Sequence, residues 1–213
     1  MAHRGHLGRP EVTRLVLAST SPQRRAILEQ LRIPFDVVAP EFEEVDGTSP
    51  LERAAGKARS VDGGDRPVLG VDTEVLFEGA LLGKPANATE AEAMLEALAG
   101  RTHEVVSGLC LRTAVWEELH EEVTHVTFRT LTPRDLAHYV AAGEWEGRAG
   151  GYAIQGLGAG LVERVEGDFR TSSACPARCS CGCSRRGSPG STGSGEKPVY
   201  PWRSRSGAPP IRS

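Results

Sequence analysis

No stretch of the 213 residues approaches the roughly 18 consecutive apolar residues of a membrane-spanning helix, and none is expected. The opening "MAHRGHLGRPEV" lacks the apolar segment of a signal peptide, so the cytoplasm is the expected location. Cysteine is nearly absent before residue 175: Cys110 stands alone there and reads as a buried strand residue. His103, His120 and His125 lack the spacing of a metal site and read as surface or strand histidines. A nucleotide-cradling loop is missing as well. "EGALLGKP" is one residue short in its glycine spacing and has Pro85 where Ser or Thr is required. No internal repeat is visible. Asn87-Ala88-Thr89 matches a glycosylation sequon, which has no meaning in a cytoplasmic chain.

What remains is a chain whose 39% hydrophobic residues suffice for the core of one sizeable α/β domain. The net charge of -3 hides two unlike segments. Residues 12–169 carry the acidic excess, whereas 170–213 hold eight Lys and Arg against the single acid Glu196. That basic Gly/Ser/Pro/Arg-rich tail has no periodicity and reads as disordered. Along the first segment, "RLVLAST" predicts a buried strand feeding a helix from Pro22 to about Leu31, and "PFDVVAP" a second strand. "PLERAAGKARS" has helical composition, and "VLGVDTEVLF" reads as a strand that turns at Glu78-Gly79 into "ALLGKP". Thr89 with Glu92 forms a capping box for a helix that Gly100 stops. "HEVVSGLCLR" and "EVTHVTFRTL" follow as strands, and Thr132, Pro133 and Asp135 open another helix. "YAIQ" and "LVERVEG" are expected as strands around a turn at "GLGAG". Helices mixed with hairpins imply an α/β fold whose sheet contains antiparallel pieces.

Two groups of residues carry chemistry. Ser21 and Pro22 are a helix start signal, yet Arg24 and Arg25 sit in the same first turn, where the helix dipole disfavours cations. An anion resolves the conflict: free backbone N–H groups, a guanidinium from Arg24, and Ser19 and Ser21 make a phosphate or carboxylate site. Arg25 reads as a solvated surface residue. Asp72 and Glu74 lie within a strand whose neighbours favour burial, so a carboxylate there is either satisfied by a cation or functional. One of the two is free to face solvent. Lys57 and Lys84 are the expected cationic partners.

Taken together, "LVLASTSPQRRAILEQL", "EFEE", "VLGVDTEV", "LLGKP", "EAEAMLEALAGRTHEVVSGLCL" and "GGYAIQGLGAGLVERVEGDF" resemble the Maf family of nucleoside triphosphate pyrophosphatases, in unbroken order over residues 14–169. The resemblance implies a two-lobed α/β fold like that of the Maf and ITPase proteins, with a mixed sheet, a central substrate cleft and assembly as a homodimer. It implies hydrolysis of nucleoside triphosphates to the monophosphate and pyrophosphate with a divalent cation, Mg²⁺ or Mn²⁺. A family link to cell-division arrest and nucleotide-pool cleaning comes with it. Carried over by position, Asp72 is the proton acceptor for the attacking water; Ser19, Arg24, Lys57 and Lys84 bind phosphate; Glu44 joins Asp72 in holding metal. Specificity falls to Gln23, Thr73 and Gln155, of which Thr73 and Gln155 match the dTTP/UTP type. Gln23 stands where that type has Arg. Ser107 replaces a Thr, and Gly147-Arg148 an Asp-Lys.

The tail departs from the family. Back-translated with GC-rich codons and read one base earlier, Thr171–Pro176 becomes Asn-Val-Val-Gly-Leu-Pro, the run that follows "GDF" in relatives. A frameshift near Arg170 is therefore expected, with loss of a terminal strand and helix. Cys175, Cys179, Cys181 and Cys183 are then out-of-frame residues, not zinc ligands. The competing reading is a catalytically weak domain that binds a partner through its basic tail, nucleic acid included. No membrane partner is expected in either.

Overall fold

The computed structural model describes residues 13–45 and 47–167. The expected tail from Arg170 lies outside the described residues. β1 (Leu15–Ala18) is buried over Val16–Ala18 because strands flank it on both edges. α1 (Pro22–Gln30) follows, with Pro22 at a position where its missing N–H costs nothing. Ser21 sits at the N-cap position without capping: its hydroxyl donates to Gln23 Oε1 at 2.6 Å instead. β2 (Phe35–Val38) precedes α2 (Pro50–Arg59), which Ser49 and Glu52 close with a reciprocal capping box. β3 (Val68–Phe77) turns through Glu78 and Gly79, both at positive φ, into β4 (Ala80–Leu82), as a tight hairpin requires.

α3 (Ala88–Leu98) starts earlier than Thr89 and Glu92 predicted. Asn87, a stronger cap than Thr, accepts from Glu90 N, and Glu90 reaches back to Ala86 N at 2.9 Å. β5 (Thr102–Arg112) and β6 (Glu117–Phe128) form a long hairpin, paired out to Arg112 and Glu117. β6 therefore begins five residues before the predicted strand, in a half exposed on both faces where no alternation could be read. α4 (Pro133–Ala141) opens at Thr132, Pro133 and Asp135 as expected, and Thr132 and Asp135 close it with a reciprocal capping box. "YAIQ" is not a strand: Ala153 N donates to the Tyr139 hydroxyl at 2.9 Å, so a side chain, not a neighbouring strand, satisfies that backbone. "GLGAG" likewise forms a short 3₁₀ turn (Leu157–Leu161) leading into β7 (Val162–Glu166).

The seven strands form one mixed sheet in the order β2-β1-β3-β5-β6-β7, with β4 also on β3. β1 runs parallel to β2 and β3, and the remaining pairs are antiparallel. One edge of β3 is covered by β5 from Val68 to Leu76. The other is shared: β1 takes Val68–Gly70 and β4 takes Val75–Phe77. Between them, Val71 to Glu74 face a gap in the sheet. Alternation puts Val68, Gly70, Asp72 and Glu74 on the face that α2 covers. There Val16, Ala18, Ala54, Ala55, Ala58, Val68 and Cys110 pack together. On the opposite face, Leu17, Leu28, Leu69, Val71 and Leu109 make a second cluster. The largest gathers Val75, Phe77, Leu95, Leu98, Phe128, Leu136, Tyr139 and Tyr152 around α3 and α4. No helix among the described residues is long and apolar enough to cross a membrane.

Candidate active site

Two glycines let α2 lie directly on the sheet. A Cβ at Gly70 would sit 2.1 Å from Ala54 O, and one at Gly108 would sit 2.3 Å from Leu51 N. With no side chain in the way, the helix backbone meets the strands, and residues one turn apart on α2 reach the gap beside β3. Arg53 Nε donates to Asp72 Oδ2 at 2.7 Å, and its other nitrogens donate to Glu74 Oε1 and Thr48 O. Lys57 Nζ bridges two carboxylates, Asp72 Oδ1 and Glu44 Oε1, the latter at 2.7 Å. Asp72 is 7% exposed and Arg53 8%, so their charges are compensated inside the protein, as buried ions require. Burial works against the Arg53 charge, but the hydrogen bonds to Asp72 and Glu74 outweigh it and raise its pKa.

The connection from β1 to α1 supplies the second wall. Ser19 is 3% exposed, and its Oγ accepts from Arg24 Nη1 at 3.0 Å and from Ser21 N at 3.2 Å. Arg24 thus folds back over the helix start beside a buried hydroxyl, while Arg25 is exposed, as expected for a surface residue. The site lies at the carboxyl end of a parallel strand whose neighbours sit on both sides, a place where α/β sheets open a crevice.

A pocket of about 1380 Å³ joins these walls, and all nine residues named from the sequence line it: Ser19, Gln23, Arg24, Glu44, Lys57, Asp72, Thr73, Lys84 and Gln155. Thr73 Oγ1 lies 3.0 Å from Ser107 Oγ on β5. Gly150 N donates to Gly83 O at 3.0 Å, tying the turn that carries Lys84 to the segment before Gln155. Glu144 accepts from Leu157 N and Gly158 N, fixing the chain just after Gln155. Two expectations change. Lys84 is exposed and makes no ion pair among the described residues, so Arg53 takes its place beside Lys57 as the partner of Asp72. Glu74 does not face solvent: it shares the Asp72 face of β3 and pairs with Arg53.

Arg53 had a readable signal, the i, i+4 spacing with Lys57 on one helix face, but "ERAAGKA" alone does not say that this face meets Asp72. A buried pair on the pocket wall had none. His103 is 2% exposed and its Nε2 lies 2.7 Å from the Tyr152 hydroxyl, with Tyr152 lining the pocket. Burial holds the His103 pKa down to about 4 and raises that of Tyr152, so both stay neutral.

Known proteins resemble this chain over most of its length. The family profile described as Maf-like protein matches residues 14–172. A dTTP/UTP pyrophosphatase of Deinococcus radiodurans is 43% identical over 163 residues, 73% of this chain and 84% of that protein. One from Nitratidesulfovibrio vulgaris is 44% identical over 165 residues, 73% and 79% of the two chains. One from Bacillus cereus is 40% identical over 164 residues, 73% and 86%. With a sheet gap that gathers cations and carboxylates in one pocket, with a family profile that spans that whole region and with relatives 40–44% identical, the chain belongs to the Maf-like protein family.

Proposed function

We propose that the protein hydrolyses nucleoside triphosphates to the monophosphate and pyrophosphate, with dTTP and UTP favoured. The observation that carries this reading is a buried carboxylate, Asp72, set in a pocket that also gathers Arg24, Arg53, Lys57 and Lys84. A triphosphate is polyanionic, and Arg24, Lys57, Lys84 and the positive end of the α1 dipole would neutralise it. Water attacks the α-phosphorus, forming one P–O bond as the bond to the α,β-bridging oxygen breaks. That electron pair leaves with pyrophosphate. The water proton passes to the Asp72 carboxylate, the acceptor at the floor of the site. Thr73 and Gln155, on two walls of the pocket, read the base.

The donors also suit a divalent cation. Glu44 and Asp72 already share one positive charge, the Lys57 ammonium, and hard carboxylate oxygens match Mg²⁺ or Mn²⁺. When bound, that ion would neutralise charge on the leaving pyrophosphate. Assembly as a homodimer and work in the cytoplasm are part of the same proposal, on the family likeness and composition.

The test is a panel of dTTP, UTP, dATP and GTP with released pyrophosphate measured for the purified full chain. Faster release from dTTP and UTP is expected. Equal rates on all four nucleotides, or no release, would overturn the substrate assignment or the reaction respectively.

A further inference from the structure

Resting on that reading of the site, we infer that Arg53 is a positioning residue for Asp72: it fixes the Oδ2 side of the carboxylate and leaves Oδ1 as the oxygen that receives the proton. The two oxygens have unlike partners. Oδ2 is held by Arg53, whose planar guanidinium is itself pinned by Glu74 and by the Thr48 carbonyl, three acceptors on one side chain. Such a fork is rigid once its donors are engaged. Oδ1 is held by Lys57, a point charge on a flexible stem that is shared with the exposed Glu44. An arriving phosphate can draw the ammonium away from Oδ1. It cannot draw away Arg53 without also breaking the bonds of the guanidinium to Glu74 and to the Thr48 carbonyl.

Glu74 has a place in this arrangement. It and Asp72 are one pleat apart on the same strand face, where two carboxylates repel unless one cation spans them. Arg53 spans them, and the foundation beneath it is stiff, because α2 rests on backbone at Gly70 and Gly108. Arg53 also ties Thr48, just before α2, to the strand that carries Asp72, so the helix start and the carboxylate keep one spacing. Losing the clamp frees the carboxylate to rotate, and misplacement by about 1 Å is enough to cost roughly 10²-fold in rate.

The experiment compares the full chain with Arg53→Leu/Glu74→Val and with Arg53→Lys. The double variant removes both ends of the ion pair and leaves no orphaned Glu74, a replacement that buried pairs tolerate. Measured are kcat and KM for pyrophosphate release from dTTP, binding of α,β-imido-dTTP, and the melting temperature. The inference expects kcat to fall by about 10- to 100-fold in the double variant, with KM and analogue binding within about 3-fold and melting little changed. Arg53→Lys, which keeps charge but not the fork, should recover part of the rate, and it carries the test if the double variant does not fold. In an Asp72→Asn background the double variant should add no further loss, since its effect runs through Asp72. Unchanged kcat, an equal loss in the Asp72→Asn background, or a loss carried by weakened analogue binding would overturn the inference. Failure of the unsubstituted chain to release pyrophosphate would overturn the reading of the site instead.

Discussion

Lowering the pH tests the interior of the protein through one residue. His103 is buried against Phe128 and Tyr152, with ring centroids 5.1 and 5.4 Å away, and its Nδ1 has no hydrogen-bond partner among the described residues. Desolvation alone lowers its pKa, from 6.5 to about 4. The folded chain therefore binds this proton less readily than the unfolded one. Between about pH 6.5 and 4 the unfolded state takes up a proton that the native state refuses, so stability falls as pH falls and levels off below 4. At about 1.4 kcal/mol for each pH unit separating the two states, the full loss is about 3 kcal/mol. For a domain of this size that corresponds to roughly 6–12 °C in melting temperature. Thermal unfolding of the chain and of His103→Gln, followed by circular dichroism from pH 8 to 4, isolates the effect. Gln does not titrate, so the difference between the two proteins must shrink or reverse as pH drops through that window. A difference that stays constant from pH 8 to 4 would refute the argument.

Two other outcomes follow from the geometry. Gly70→Ala places a methyl group 2.1 Å from the Ala54 carbonyl oxygen, which is backbone and cannot swing aside, so the variant should lose about 1–3 kcal/mol in urea unfolding. Its turnover should fall as well, because α2 can only relieve the clash by lifting Arg53 and Lys57 from Asp72; an unaffected stability would show that the helix does not rest there. Gln23→Arg adds a charge and a fork at the pocket wall, and should sharpen the preference for dTTP and UTP over purine nucleotides. An unchanged nucleotide profile would remove Gln23 from the specificity set.

Features set by neighbours in the chain were legible. The helix start at Thr132, Pro133 and Asp135, the Glu78-Gly79 turn and the buried strand before Pro22 depend on a few consecutive residues, and each stands as read. The Asn87 cap was missed because Asn87 and Thr89 both qualify, and only the backbone decides between them. "YAIQ" looked like a strand because its apolar side chains are buried, but Tyr152 and Ile154 enter the core from an irregular segment held by the Tyr139 hydroxyl. The residues named from the sequence line one pocket, but the partnership around Asp72 was not legible. Lys84 was expected beside Lys57, whereas Arg53 owes its contact to α2 lying across two glycines on different strands. The gap at Val71 to Glu74 was equally hidden, since it exists only because β1 and β4 divide one edge of β3.

The central claim is that Asp72 serves the reaction and not the fold. Asp72→Asn keeps the side-chain shape but cannot take the proton from water, so pyrophosphate release should fall by about 10² to 10⁴. Melting should hardly change, because Arg53 keeps Glu74 and Thr48 and Lys57 keeps Glu44. Turnover and melting temperature measured on the same purified variant decide the matter: lost turnover with an intact fold is the predicted result, and near-normal turnover with a lowered melting temperature would contradict it.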